Sequence, residues 1–191
     1  MRSAARSDDR PYVSRGGEKL AAALEAFGID PAGAICADLG CNVGGFTDAL
    51  LRHGAVRVYA IDTGYGTLDY RLRTDPRVVV LERTNAMHVT LDEPVDLAVV
   101  DVGWTRQRHI LPNAARLLKR DGRIVTLIKP HYEADKHELH KGVVPAPLVE
   151  DVLERACGSM AELDLTLLAI LPSPIVGQKG NREYLALLTR S

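Results

Sequence analysis

Apolar residues gather in short continuous runs at Ala34 to Asp38, Val56 to Asp62, Val78 to Leu81, Val95 to Asp101 and Arg123 to Lys129. A strand with one wet face alternates apolar and polar positions, whereas a strand covered on both faces is apolar throughout, so these runs predict the interior of a parallel sheet. Between them, helical spacing predicts helices at Gly45 to His53, Leu68 to Thr74, Thr105 to Lys119 and Ala146 to Glu162. Strand, helix, strand in series implies right-handed crossovers and a doubly wound α/β domain. Ahead of the first strand, Leu20, Ala23, Leu24 and Phe27 share one face of a helix predicted over Gly16 to Phe27, with Gly28 as its stop. The end of the chain departs from this rhythm. Leu165 to Leu171 and Glu183 to Leu188 are joined by a loop rich in Pro and Gly (Pro172, Pro174, Gly177, Gly180), with no helix between. Two successive strands without a crossover pair antiparallel or lie apart.

Composition narrows the class. The 191 residues are 46% hydrophobic and 26% charged, enough for one soluble domain with a single core and too few for two catalytic domains. The 24 Lys+Arg against 25 Asp+Glu give a net charge of −1, which speaks against a binder relying on diffuse positive charge but allows a local basic patch. Cys36, Cys41 and Cys157 form no C-x-x-C pair, so neither a disulfide framework nor a zinc ribbon is expected, and reduced thiols suit a cytoplasmic protein. No apolar stretch is long enough to span a bilayer, and the charged opening from Met1 to Arg10 has no apolar run behind it, so neither secretion nor membrane insertion is expected. Residues 1–11 are read as a flexible leader and 12–191 as one domain.

The most informative segment is Asp38-Leu39-Gly40-Cys41-Asn42-Val43-Gly44-Gly45-Phe46, where the first strand turns into the next helix. Glycines allow the backbone to turn tightly and approach a ligand, and a helix N-terminus offers free N–H groups. A dinucleotide fingerprint would require glycine at position 42, which is Asn42 here, so a nicotinamide cofactor is disfavoured. A mostly parallel seven-stranded sheet closed by a C-terminal hairpin is instead the architecture of class I S-adenosylmethionine methyltransferases. In such a fold Asp38 orients the amino-acid part of S-adenosylmethionine, while Asp62 at the end of the second strand accepts the ribose hydroxyls. Asn85 lines the adenine side. Gly40, Asn42, Gly44, Gly45 and Phe46 complete the expected donor loop. Each of these could also be ordinary turn chemistry.

A second constellation is charged. Asp101 and Lys129 close two parallel strands, and ligands in open α/β sheets lie outside such strand ends. Glu183 opens the antiparallel strand, whose beginning lies at that same edge, and Lys19 on the first helix completes a Lys-Asp-Lys-Glu group. From Trp104 to Arg120 the chain carries Arg106, Arg108, Arg116, Lys119 and Arg120 with no acid. This is a candidate RNA-contacting face with Trp104 placed to stack on a base, or else a solvated helix face. His131, Glu133, Asp135, His137, Glu138 and His140 lack metal-ligand spacing and read as a substrate-side loop, so no metal is expected.

The segments Tyr12-Val13-Ser14-Arg15-Gly16-Gly17-Glu18-Lys19-Leu20, Gly44-Gly45-Phe46-Thr47-Asp48, Asp62-Thr63-Gly64-Tyr65-Gly66, Glu82-Arg83-Thr84-Asn85-Ala86, Ile128-Lys129-Pro130 and Gly180-Asn181-Arg182-Glu183-Tyr184 resemble the hemolysin A (TlyA) family. That family belongs with the FtsJ-like ribosomal RNA ribose 2′-O-methyltransferases. The resemblance implies S-adenosylmethionine as donor, ribosomal RNA as acceptor and a catalytic tetrad at Lys19, Asp101, Lys129 and Glu183. It covers nearly the whole chain. The family's small RNA-binding domain has no counterpart in the roughly ten residues before Tyr12, so a partner protein supplying RNA affinity is conceivable. Asp101-Val102-Gly103-Trp104 stands where the family has Asp-Val-Ser-Phe, and His131-Tyr132-Glu133 where it has Gln-Phe-Glu. The competing functions are methylation of a small molecule and noncatalytic donor binding by a scaffold protein.

Overall fold

The computed structural model describes residues 11–191, so the expected leader lies, apart from Pro11, outside the described residues. Seven strands form one sheet: β1 (Ile35–Leu39), β2 (Arg57–Ile61), β3 (Val78–Leu81), β4 (Val95–Val100), β5 (Leu118–Ile128), β6 (Leu165–Pro172) and β7 (Tyr184–Arg190). Their order is β3-β2-β1-β4-β5-β7-β6. The first five pair in parallel, and β7 runs antiparallel to both β5 and β6. β7 therefore enters the sheet at the edge where the parallel strands leave it, as the hairpin reasoning requires.

Six helices accompany the sheet: α1 (Arg15–Phe27), α2 (Gly45–Arg52), α3 (Tyr70–Arg73), α4 (Gln107–Leu117), α5 (Pro130–Glu133) and α6 (Val149–Ala161). One core gathers Ile110, Leu111 and Met160 of α4 and α6 against one face, and the other gathers Leu20, Leu24 and Leu50 of α1 and α2 against the opposite face. Each central strand is thus buried twice, which is why β1 and β4 read as continuous apolar runs. The exception is Asp96, whose carboxylate accepts from the Ile35 amide at 2.9 Å and from Lys119 at 2.8 Å at the amino end of the sheet.

α1 is not part of any crossover and needs its own anchorage. Ser14 caps its N-terminus, its side chain accepting from the Gly16 amide, and Gly28 ends it in the left-handed region (φ 62°). Asp48 of α2 accepts from the Val13 amide at 2.9 Å and pairs with Arg52 at 2.8 Å. The two helices cross at glycines: a side chain on Gly45 would run into Ser14 Oγ and come within 2.8 Å of the Gly17 amide nitrogen.

Two elements differ from expectation. β5 starts at Leu118, not Arg123, because Lys119 reaches Asp96 and the chain joins the sheet early. The stretch after Lys129, read as loop, forms the short α5. Its acids are spent locally: Glu133 accepts from the Gln107 amide, and Asp135 and Glu138 cap a following 3₁₀ turn. Among the described residues no helix is long and apolar enough to cross a membrane.

Gly45→Ala is expected to force α1 from α2 and cost about 1–3 kcal/mol in urea unfolding. Exposed Gly158 in α6 has nothing within reach of an added methyl, so Gly158→Ala should stabilise by about 0.5–1 kcal/mol. A neutral Gly45→Ala would refute this account of the helix crossing.

Candidate active site

The carboxyl ends of β1, β2, β4 and β5 open onto one cleft. Gly40 (φ 92°) turns the chain at the end of β1 so closely that an added Cβ would lie 2.7 Å from the Asp101 carbonyl oxygen. Asn42 follows in the left-handed region (φ 48°), which asparagine tolerates, and its amide donates to Asp62 Oδ2 at 2.9 Å. The Gly64 amide donates to Asp62 Oδ1 at 2.7 Å. Both carboxylate oxygens are thereby fixed in place by backbone N–H groups, with lone pairs left over for a further donor.

Asp38 is fully buried at the floor. Its Oδ2 accepts from Thr47 Oγ1 at 2.6 Å, while Oδ1 has no partner. Burial pushes the carboxyl up to about 7; the Thr47 bond opposes the rise, and the charges of Asp101 and Asp62 add to it. An unpaired buried carboxylate oxygen is costly, and a cation arriving in the cleft would relieve that cost.

The four charged residues predicted to converge do so, as two pairs. Lys19 of α1 pairs with Glu183 at the head of β7, and Lys129 pairs with Asp101 Oδ1 at 2.5 Å. Lys129 also donates to the Val102 carbonyl at 3.1 Å. Exposure of the Lys19 and Glu183 side chains is only 12% and 5%, so each charge depends on its partner for stabilisation. Gly177 lies against Glu183, where any side chain would collide with the carboxylate.

Two contiguous chambers make up the cleft. One, about 410 Å³, is lined by Lys19, Asp38, Asp101, Lys129, Trp104 and Glu183 among others. The second, about 380 Å³, holds Asp62, Asn85 and Met87 and shares Gly40, Asn42, Asp101 and Trp104 with the first. Trp104 stands at the mouth, 90% exposed, with a positive φ of 59°. Its ring centroid is 5.2 Å from that of Tyr132, and Lys129 Nζ lies 5.7 Å from the Tyr132 centroid. His131 stacks beside Tyr132 with centroids 4.2 Å apart, its imidazole depressed by burial and by the charges of Lys129 and Lys179.

Most sequence-predicted residues meet here: Lys19, Asp38, Gly40, Asn42, Gly45, Phe46, Asp62, Asn85, Asp101, Lys129 and Glu183 all line the chambers. Gly44 does not; its positive φ of 101° sets the turn, and its α-carbon faces Leu68 and Leu72. Asn85 lines the second chamber and also serves as a turn residue, its Oδ1 accepting from the Met87 amide at 2.9 Å. The basic run does not form one face. Arg106 pairs with Asp135 near the cleft, but Arg116 binds Asn113 and the Val89 carbonyl, and Lys119 pairs with Asp96 at the far end of the sheet. Sequence reasoning placed His131 in a substrate-side loop but missed Ser14, Arg15, Thr47 and Tyr132 as site residues. Each lies within two residues of a motif position or directly beyond Lys129-Pro130, and adjacency was their signal. Cys36 and Cys41 are buried thiols; burial, with Asp96 and Asp38, pushes Cys36 up to about 12.

The family model for FtsJ-like methyltransferases matches residues 12–190. Over 185 residues the chain is 43% identical to the 16S/23S rRNA (cytidine-2′-O)-methyltransferase TlyA of Mycobacterium tuberculosis, a match spanning 92% of this chain and 68% of that protein. A solved structure from Streptococcus thermophilus, described as a "putative hemolysin", is 34% identical and superposes with a TM-score of 0.92, covering 97% of this chain and 70% of the other. At 22% identity, the N-methyltransferase NodS of Bradyrhizobium japonicum, solved with S-adenosyl-L-homocysteine, shares the fold with a TM-score of 0.62 over 96% of this chain and 89% of its own. The fold is that of the class I S-adenosylmethionine-dependent methyltransferases.

Asp38 makes the stability of the unliganded protein pH-dependent. Its carboxyl titrates near 3.8 when unfolded and about 7 when folded, so between these values the native state holds a proton that the unfolded chain releases. Stability from this group is full below pH 4 and lost as pH rises through 7. Asp38→Asn, which mimics the protonated form, should abolish that slope and gain ~4 kcal/mol at most at pH 8. Urea unfolding at pH 5 and pH 8 measures it; an unchanged slope would refute the assignment.

Proposed function

Because the chain belongs to the FtsJ-like methyltransferase family, we propose that it methylates a ribose 2′-hydroxyl of ribosomal RNA, with residues 12–191 as the catalytic domain acting in the cytoplasm. The observation that carries the reading is the juxtaposition of the Lys129–Asp101 pair, the orphaned Asp38 oxygen and an exposed tryptophan at the mouth of one cleft. Cytidine is the preferred acceptor nucleotide, since that is what the Mycobacterium tuberculosis relative modifies.

The site fits S-adenosylmethionine. Asp38 Oδ1 offers a buried anionic acceptor to the donor's ammonium, Asp62 has lone pairs to spare for ribose hydroxyls, and the chamber beside Asn85 and Met87 suits the adenine. When bound, that donor supplies an electrophilic methyl carbon on a sulfonium. The chain supplies geometry and proton handling.

A ribose hydroxyl is a weak nucleophile, so its proton must be managed as the new bond forms. Lys129 Nζ has three donors; Asp101 and the Val102 carbonyl take two, which leaves one directed to the acceptor oxygen. Asp101 holds the Lys129 ammonium toward the acceptor oxygen, where it stabilises the negative charge that builds as the hydroxyl gives up its proton. Lys19 and Glu183 neutralise each other and hold α1 against β7, closing the back of the site. Trp104 and Tyr132 offer an open stacking platform, which suits an unpaired nucleotide swung out of an RNA strand better than a small molecule enclosed by a pocket.

Methyl transfer from labelled S-adenosylmethionine to ribosomal RNA and to intact ribosomal subunits tests the reading. Lys129→Ala should lower kcat by about 10²–10⁴-fold while donor binding persists. Wild-type turnover in this variant would remove Lys129 from the chemistry. Trp104→Ala should instead raise KM for RNA roughly 5–150-fold, the worth of one base–aromatic stack, with little change in kcat. If label enters only small molecules, the RNA reading falls.

A further inference from the structure

We infer that Lys141, Lys179 and Arg182 form a cationic track that grips the phosphate backbone of the acceptor strand beside the catalytic cleft. This rests on the reading of the acceptor as RNA. All three side chains are exposed, and none has an acidic partner among the described residues. The acids closest to them in sequence are already neutralised: Glu183 by Lys19, and Glu138 by Arg155 at 2.7 Å. Positive charge left uncompensated on one surface attracts an anion, and a polyanion most of all.

The three residues come from two loops that the fold brings together. His140 and Val143 exchange backbone hydrogen bonds of 2.8 and 3.0 Å around a two-residue turn, with Lys141 and Gly142 both at positive φ (51° and 81°). Such a turn is normally Asn-Gly, so lysine at its first position breaks the local rule at a cost of ~1 kcal/mol. The same departure occurs across the gap, where Lys179 and Gly180 take φ of 56° and 78°. Asn181 Nδ2 donates to the Gly142 carbonyl at 3.2 Å, and Lys179 Nζ lies 3.4 Å from where a Gly142 Cβ would be. Two lysines are thus held out on left-handed turns by loops bonded to each other.

Position links the track to the chemistry. Arg182 immediately precedes Glu183, and Gly177 of the same loop lines the catalytic chamber. A groove of about 230 Å³ runs between the loops, its wall formed by Pro130, Val143, Val144 and Val149, with Asn181 and Arg182 on its rim. Pro130 is next to Lys129, so the groove begins beside the proposed catalytic lysine. An apolar floor flanked by free cations matches a single strand of ribose and phosphate. The basic residues legible in the sequence cannot serve this purpose as a unit: Arg116 and Lys119 are occupied, and Arg120 lies about 26 Å back along β5 from Ile128.

The test uses the triple variant Lys141→Asn, Lys179→Asn, Arg182→Gln, because asparagine suits a positive φ and the loops keep their shape. Binding to a single-stranded oligoribonucleotide and to ribosomal RNA is titrated between 50 and 200 mM salt. Three lost phosphate contacts should flatten the log–log salt slope by about 2, shrinking the affinity change across that range roughly twentyfold. The RNA KM should rise, with kcat at saturating RNA and donor affinity unchanged. The control Arg120→Gln, Arg123→Gln removes two exposed charges from the amino-end half of β5 and should leave the slope as in wild type. An unaltered slope in the triple variant, or an equal flattening in the control, overturns the track. If wild type methylates RNA while the triple variant keeps the slope, only the track falls. If RNA binds with the expected charge dependence but accepts no methyl, the catalytic reading fails and the track stands.

Discussion

The contact between Lys19 and Glu183 joins the one helix that lies outside the strand–helix alternation to the one strand that runs against the sheet. Neither charge is stable alone at such low exposure, so α1 and β7 must be placed together or both lose solvation without compensation. Everything that fixes α1 serves this pairing: the Ser14 cap, the Asp48 bond to the Val13 amide, and the glycine crossing with α2. Everything that fixes β7 does so from the other side. Its insertion between β5 and β6 brings Glu183 to the edge where Asp101 and Lys129 already stand.

The cleft is built on an excess of carboxylates over what its own lysines can balance. Asp101 and Glu183 are each matched, whereas Asp38 and Asp62 have no cationic side chain against them among the described residues. Asp62 is stabilised by backbone amides, and Asp38 is left with one oxygen satisfied and the carboxyl raised by burial. A site poised in this way gains most from a ligand that carries positive charge. The sulfonium and ammonium of S-adenosylmethionine are both cationic, which is the charge the proposed donor site favours.

How much of this was legible depended on how local each signal was. Burial of β1, β2 and β4 on both faces leaves nearly unbroken apolar runs, and the missing helix before Glu183 announced the antiparallel strand. Those are properties of consecutive residues. The convergence of Asp101, Lys129 and Glu183 followed from topology, because strand polarity dictates which ends share an edge, whereas Lys19 on α1 came from the family's motif. What failed was inference from composition along a segment. The run from Arg106 to Arg120 looked like one surface, but α4 ends at Leu117 and β5 begins at once, so its charges divide between opposite ends of the sheet. Gly44 likewise read as a ligand glycine, whereas its α-carbon faces Leu68 and Leu72, residues that no local motif places there.

The same distinction resolves the balanced net charge. A sum of −1 says little about a surface on which many charges are paired with neighbours, as Arg52, Arg57, Arg73, Arg77 and Arg155 are here. Only the residue of that pairing is visible to a polyanion. Asp38 and Asp62, which no lysine or arginine pairs among the described residues, lie inside the cleft. Lys141, Lys179 and Arg182 remain outside it on exposed loops. On the proposed reading, a cationic donor meets carboxylates within the cleft, while an anionic acceptor strand meets cations on the loops beside it.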